Sequence, residues 1–157
     1  MGDREVDGQN ANVPRPVIVV GIDGSASSRN ALRWAKDEAR MRGASLRLIH
    51  SWELPTISGA IEPNVPRASL TERAERVLSE ATEAVPGCAE LDITSEIAAS
   101  LPARALIEAS NDADLVVVGS RGVGGFKGLL LGSVAQQVSH HSECPVVIVR
   151  SSAHASE

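Results

Sequence analysis

Between Gly119 and Ser133 the chain reads GSRGVGGFKGLLLGS, with glycines at 119, 122, 124, 125, 128 and 132 and with Arg121 and Lys127 as its only full charges. No Asp or Glu occurs from Leu115 to Ser142, although the whole chain has 20 acidic against 15 basic residues and a formal charge of −5. Residues without a Cβ let the backbone come close to a ligand. An acid-free, basic loop running into a helix N-terminus is suited to an anion, phosphate above all. Two familiar phosphate signatures are absent. Phe126 precedes Lys127, so there is no Gly-Lys-Ser/Thr, and Lys127 stands where the third glycine of a dinucleotide pattern opened by Gly122-Val123-Gly124 would fall. Taken alone, the glycine cluster fits a plain linker as well as a phosphate loop.

A second candidate is Asp23-Gly24-Ser25, which follows the apolar run Val17-Ile18-Val19-Val20-Gly21-Ile22. A carboxylate there would repel phosphate directly. It could accept hydrogen bonds from a ribose or a base, or help place a divalent cation. Ser25 reads first as a helix cap and second as a ligand contact. Arg121 favours a phosphate role because it lies inside the glycine loop; Lys127 fits that role or a solvated loop face. His140, His141 and Cys144 do not read as a metal site. Neighbouring helical residues point about 100° apart, and a closed site needs three or four ligands. Cys88 and Cys144 read as packing or surface thiols, and Trp34 and Trp52 as partly buried anchors.

These groups need elements to hold them. The β-branched run from Val17 suits a strand buried on both faces. A helix follows to about Arg42, with Ala31, Leu32, Ala35 and Ala39 on one face and Gly43 to close it. Leu46 to Ser51 gives a second strand. A connection from Glu53 to Arg67 then carries three prolines and no evident structure, which points to a mobile or functional loop. Ser69-Leu70-Thr71-Glu72 reads as a capping box opening the next helix, stopped by Pro86-Gly87. Leu91 to Ile97 alternates as a half-exposed edge strand. A helix starts near Pro102, and Leu115 to Val118 is a fourth strand. A helix over Ser133 to His141 buries Val134, Ala135 and Val138, and Pro145 to Val149 is the last strand. The β-α alternation implies an α/β fold, a parallel sheet with helices on both faces, whose ligand site lies at the carboxyl ends of the strands where their order reverses. If the first and fourth strands flank that reversal, Asp23 and Gly119–Gly122 lie side by side.

The length of 157 residues, 43% hydrophobic and 22% charged, suits one globular domain over 17–150. Residues 1–16 and 151–157 read as polar tails. The acidic balance argues against nucleic acid as a partner, and the absence of Tyr with a single Phe argues against a base-stacking platform. No apolar run approaches a membrane span and the N-terminus has no apolar core, so neither membrane nor secretion is expected. With two cysteines the expectation is a reduced, cytoplasmic protein.

Three stretches together resemble the universal stress protein family. Gly119, Gly122 and Gly132-Ser133 fit the ATP-binding members' spacing of glycine, two residues, glycine, nine residues, glycine and Ser or Thr. Gly21-Ile22-Asp23-Gly24-Ser25 and Cys144-Pro145-Val146-Val147-Ile148-Val149 resemble the family's opening and closing strands. The resemblance covers about Val17 to Val149. It implies a Rossmann-like five-stranded sheet of order 3-2-1-4-5 and a homodimer through the last strand. It also implies ATP, with Mg or Mn, across the carboxyl edge. By that likeness Gly21, Ile22 and Asp23 meet adenosine, and Ser51 meets adenine through its backbone; Trp52, read first as an anchor, directly follows Ser51 and could also flank the base. Val118, Gly119 and Gly122 line ribose and phosphates, with Arg121 beside them, and Gly132, Ser133 and Val134 hold the terminal phosphates. The function implied is a nucleotide-dependent regulator in starvation, oxidative stress or low oxygen. A hydrolase, a nucleotidyl transferase or a cyclic AMP binder on the same fold are the alternatives.

Overall fold

The structure is a computed structural model that describes residues 13–52, 56–57, 60–61, 66–123 and 130–151. Five parallel strands form one sheet: β1 (Val17–Gly21), β2 (Ser45–Ser51), β3 (Ile93–Ala98), β4 (Leu115–Gly119) and β5 (Val146–Val149). Their spatial order is β3-β2-β1-β4-β5, the expected 3-2-1-4-5. The strand order therefore reverses between β1 and β4, which pair Ile18 with Leu115 and Val20 with Val117.

The residues of β1 explain its central place. Ile18, Val19 and Val20 are fully buried, which requires apolar cover on both faces of the sheet. On one face Ile18, Val20, Leu46, Leu48 and Val117 pack under helices α1 (Ala26–Arg42) and α2 (Arg67–Glu83) through Leu32, Ala35, Leu78 and Ala81. On the other, Val19, Ile49, Val116 and Val118 pack under α3 (Pro102–Ala109) and α4 (Ser133–His141) through Ala105, Leu106, Ala135 and Val138. Trp34 packs partly buried against the first of these clusters. Of the residues expected to be buried on α4, Ala135 and Val138 are, while Val134 is only half-buried. Among the described residues no helix is long and apolar enough to cross a membrane.

Local signals set most boundaries. Ser25 caps α1, its Oγ accepting from the Ser28 amide at 3.1 Å, and Gly43 closes the helix in the left-handed region at φ 64°. Two expectations differ. Ser69–Glu72 is not a capping box, because α2 begins two residues earlier at Arg67. Its N-cap is Pro66, whose carbonyl accepts from the Ser69 amide at 3.0 Å, and no side chain caps it. With the first turn already wound, Ser69 lies inside the helix. Within the long connection, Thr56–Ile57 and Ala60–Ile61 form a short antiparallel ladder, pairing Thr56 with Ile61. The expected tails lie largely outside the described residues. At the inner end of the first one, Pro16 O accepts from the Ser45 amide at 2.9 Å and Arg15 pairs with Asp92 at 3.0 Å.

Candidate functional site

At the carboxyl edge of β1, β2 and β4 lies a cleft of about 600 Å³, within the range of small-molecule sites. Eleven of the binding residues put forward from the sequence line it; Ser25, whose first reading was a helix cap, does not. Gly21, Ile22 and Asp23 come from the end of β1, Ser51 from the end of β2, and Val118, Gly119, Arg121 and Gly122 from β4 and the turn after it. Gly132, Ser133 and Val134 come from the start of α4. Trp52 is not among the lining residues, so the structure does not bring it to the cleft. Lys127 lies outside the described residues.

Three contacts fix the mouth of the glycine loop. The Ser120 amide donates to Val149 O at 2.9 Å, and Ser120 O accepts from the Gly132 amide at 2.7 Å. The buried Ser27 hydroxyl of α1 accepts from the Arg121 amide at 3.3 Å. The segment after Gly122 thus leaves and returns at one point: a Cβ placed on Gly132 would be 3.5 Å from Arg121 Cα and 3.6 Å from Gly122 N. Gly119 is required by this closure. A Cβ there would strike the Ser27 hydroxyl and come within 2.8 Å of the Ser27 backbone. Its glycine therefore serves close packing of β4 on α1, a role separate from any ligand.

Asp23 ties β1 to the loop. Its Oδ1 accepts from the Ser25 amide at 2.9 Å and its Oδ2 from the Val123 amide at 3.0 Å. Burial pushes this carboxyl up. Hydrogen bonds from the Ser25 side chain and amide, the Val123 amide and Ser28 outweigh burial and hold it below the ordinary carboxylate value. A Cβ on Gly122 would be 2.9 Å from the same Oδ2, so the carboxylate and the turn are in close approach.

α4 presents its first turn to the same cleft. Gly132 is the N-cap at φ −70° and ψ 164°, no side chain caps the helix, and its first internal acceptor is Gly132 O, taking the Gln136 amide at 3.0 Å. Among the described residues no protein acceptor meets the amides of Ser133, Val134 and Ala135, the position of donors that satisfy an anion. The walls between the two ends are apolar: Ile22, Ile49, Leu106 and Val118. Among the described residues, apolar walls, one carboxylate, one exposed arginine and a row of amides without a protein acceptor fit a ligand with a flat apolar part and an anionic end. A divalent cation would find one protein carboxylate here, the rest of its shell being phosphate and water. Among the described residues no group of three potential metal ligands gathers. His140 and His141 have ring centroids 6.3 Å apart and diverge by 53°.

Ser28, Ile49, His50, Pro102, Leu106, Val123 and Ala135 also line the cleft and were not singled out from the sequence. Pro102 and Leu106 reach it because α3 packs across the strand ends, a tertiary fact without local signature. Ile49 and His50 carry a signal: they immediately precede Ser51 at the carboxyl end of β2, the strand beside β1. Cys88 is buried, and burial raises its thiol pKa despite the Lys36 and Arg40 charges. Cys144 is half-buried, its thiol raised by burial and then by the Asp114 carboxylate. Neither is an activated nucleophile.

The universal stress protein family model matches residues 15–150. Universal stress protein Rv2623 of Mycobacterium tuberculosis is 38% identical over 139 residues, which cover 86% of this chain and 45% of that protein. The chain spans about half the length of the curated relatives it matches. Among solved structures, a universal stress protein in complex with cAMP is 29% identical at a TM-score of 0.67, covering 85% of this chain and 96% of that one. The universal stress protein of Archaeoglobus fulgidus in complex with dAMP, 22% identical at a TM-score of 0.62 and covering 85% and 96%, shares the fold. The sheet order, the glycine spacing and these matches agree: the chain belongs to the universal stress protein family.

Proposed function

We propose that the chain binds an adenine nucleotide, ATP with Mg or Mn, in the cleft between β1 and β4. It would act there as a nucleotide-dependent regulatory module of a cytoplasmic stress response. The base and ribose lie over Gly21, Ile22, Asp23 and the Ser51 backbone. The phosphates lie along Val118, Gly119, Arg121 and Gly122 and end on the amides of Ser133 and Val134 and the Ser133 hydroxyl. The observation that carries this reading is the closure of the loop at Ser120 and Gly132. That closure brings to the cleft that Asp23 lines the first turn of α4, whose amides meet no protein acceptor among the described residues. Support for an adenine ligand comes from the relative that binds cAMP. That complex also favours a second reading, in which the resident ligand is a cyclic nucleotide with fewer phosphate contacts.

Binding is favoured over turnover as a hydrolase or nucleotidyl transferase. Asp23 is the one carboxylate lining the cleft among the described residues, and both its oxygens already accept backbone amides. A homodimer through β5 is the proposed assembly. β5 is a sheet edge whose four apolar residues are all half-exposed. Pro145 O and Val149 O turn inward to β4, so alternation directs the backbone groups of Val146 and Ile148 outward, ready to pair.

Calorimetric titration with ATP tests the site. Wild type should bind, and Gly132→Val, shown to be folded by circular dichroism, should lose affinity; among the described residues a Cβ there meets protein atoms no nearer than 3.5 Å. No heat in wild type, or equal affinity in the folded variant, refutes the reading.

A further inference from the structure

His50 has a chemistry that the cleft's glycines and amides do not explain. It lies at the end of β2, next to Ser51, half-buried, and it lines the cleft. Its Nδ1 is 2.7 Å from Ile22 O. A backbone carbonyl can only accept, so the hydrogen sits on Nδ1. The neutral ring then carries its lone pair on Nε2. Ile22 and Ser51 are the two backbone positions placed at the base end of the nucleotide, so the ring stands beside the base and away from the phosphate end. Two other polar side chains that line the cleft are occupied: Asp23 accepts two amides, and the Ser28 hydroxyl donates to Ser25 O at 3.0 Å.

We infer that His50 is a base-reading residue: with Nδ1–H fixed on the Ile22 carbonyl, its Nε2 accepts a hydrogen bond from an exocyclic amine of the base. The ligand class selected is a nucleotide carrying an amine on the ring edge, such as adenine. A base with a carbonyl at that place, such as hypoxanthine, is disfavoured because two acceptors would face each other. The Nδ1 bond has a second effect. It holds the ring in one orientation and one tautomer, so the acceptor is in place before the ligand arrives. The inference rests on the adenine-nucleotide reading and adds a side-chain acceptor to the base contact placed on the Ser51 backbone.

The test compares ATP with inosine triphosphate by calorimetry in wild type, His50→Asn and His50→Ala. Asn places an amide N–H where Nδ1 was and so can keep the bond to Ile22, but it has nothing at the Nε2 position. Wild type should prefer ATP by about threefold to tenfold, the size of one neutral hydrogen bond. His50→Asn should keep the wild-type melting temperature and bind the two nucleotides equally. His50→Ala should lose the preference and melt lower. Equal binding of both nucleotides by wild type, which needs no variant to fold, overturns the inference, as does a full ATP preference in His50→Asn. Binding of neither nucleotide by wild type is a separate result that overturns the nucleotide reading, and this inference with it.

Discussion

Replacing Asp23 by Ala should loosen the glycine loop and lower stability in a manner that depends on pH. The substitution removes an ionised acceptor from two amides, Ser25 at 2.9 Å and Val123 at 3.0 Å. Hydrogen bonds to a charged group contribute about 1.5–3 kcal/mol each. Val123 is 75% exposed, so water takes over its amide at small cost, and the net loss is nearer about 2 kcal/mol for both. In a chain of this length that corresponds to a melting temperature lower by roughly 4–8 °C. The sign with pH follows from the lowered carboxyl. A group whose folded pKa lies below its unfolded value contributes stability above the unfolded value, near 3.9 for Asp, and loses it as pH falls through the folded pKa. The difference between wild type and Asp23→Ala, measured by circular dichroism melts, should be full at pH 7 and shrink steadily below about pH 4. Amide exchange at Val123 should quicken in the variant at neutral pH. A gap between the two proteins that is the same at pH 3 and pH 7 would refute the claim that the charge of Asp23 holds the loop.

Three further expectations concern packing and assembly. Gly119→Ala should cost about 1–3 kcal/mol because its methyl meets the Ser27 backbone at 2.8 Å, whereas Gly132→Ala should melt like wild type; chemical denaturation of the pair checks the contrast. Ser110 is buried, donating to Ile107 O at 2.6 Å and accepting from the Glu143 amide at 2.9 Å. Ser110→Ala should therefore cost about 1–3 kcal/mol by leaving that amide unpaired, readable in the same denaturation series. Ile148→Pro removes an outward amide of β5 while sparing the bonds that Pro145 O and Val149 O make to β4. Light scattering should then show monomer where wild type shows dimer, and an unchanged dimer would exclude pairing through that edge.

The fold was legible where residue chemistry decides structure locally. The β-branched run of β1 announced a strand covered on both faces, and Ser25 and Gly43 marked the two ends of α1. The site was legible because its parts sit at strand ends and a helix start, positions that βα alternation brings to one edge once the strand order is known. The order itself came from resemblance, since periodicity does not say which strands are neighbours. Ser69–Glu72 misled because its spacing satisfies the capping pattern, while Pro66 had already set the entry to the helix. Asp23 was read as a ligand contact. Its latch on Val123 spans a hundred residues of sequence, and no local pattern reports such a bond. Pro102 and Leu106 were missed for the same reason, their place in the cleft being made by packing between elements, whereas His50 was within reach of the sequence as the neighbour of Ser51 at the end of β2.

The most direct test of the nucleotide cleft is amide nuclear magnetic resonance of the intact chain titrated with ATP. The largest shifts should fall on the amides of Gly122, Ser133, Val134 and Ala135, with smaller ones at Ile22 and Ser51. Saturation with ATP that leaves the Ser133 to Ala135 amides unmoved, or moves chiefly β5, would contradict the assignment of the phosphate end to the start of α4.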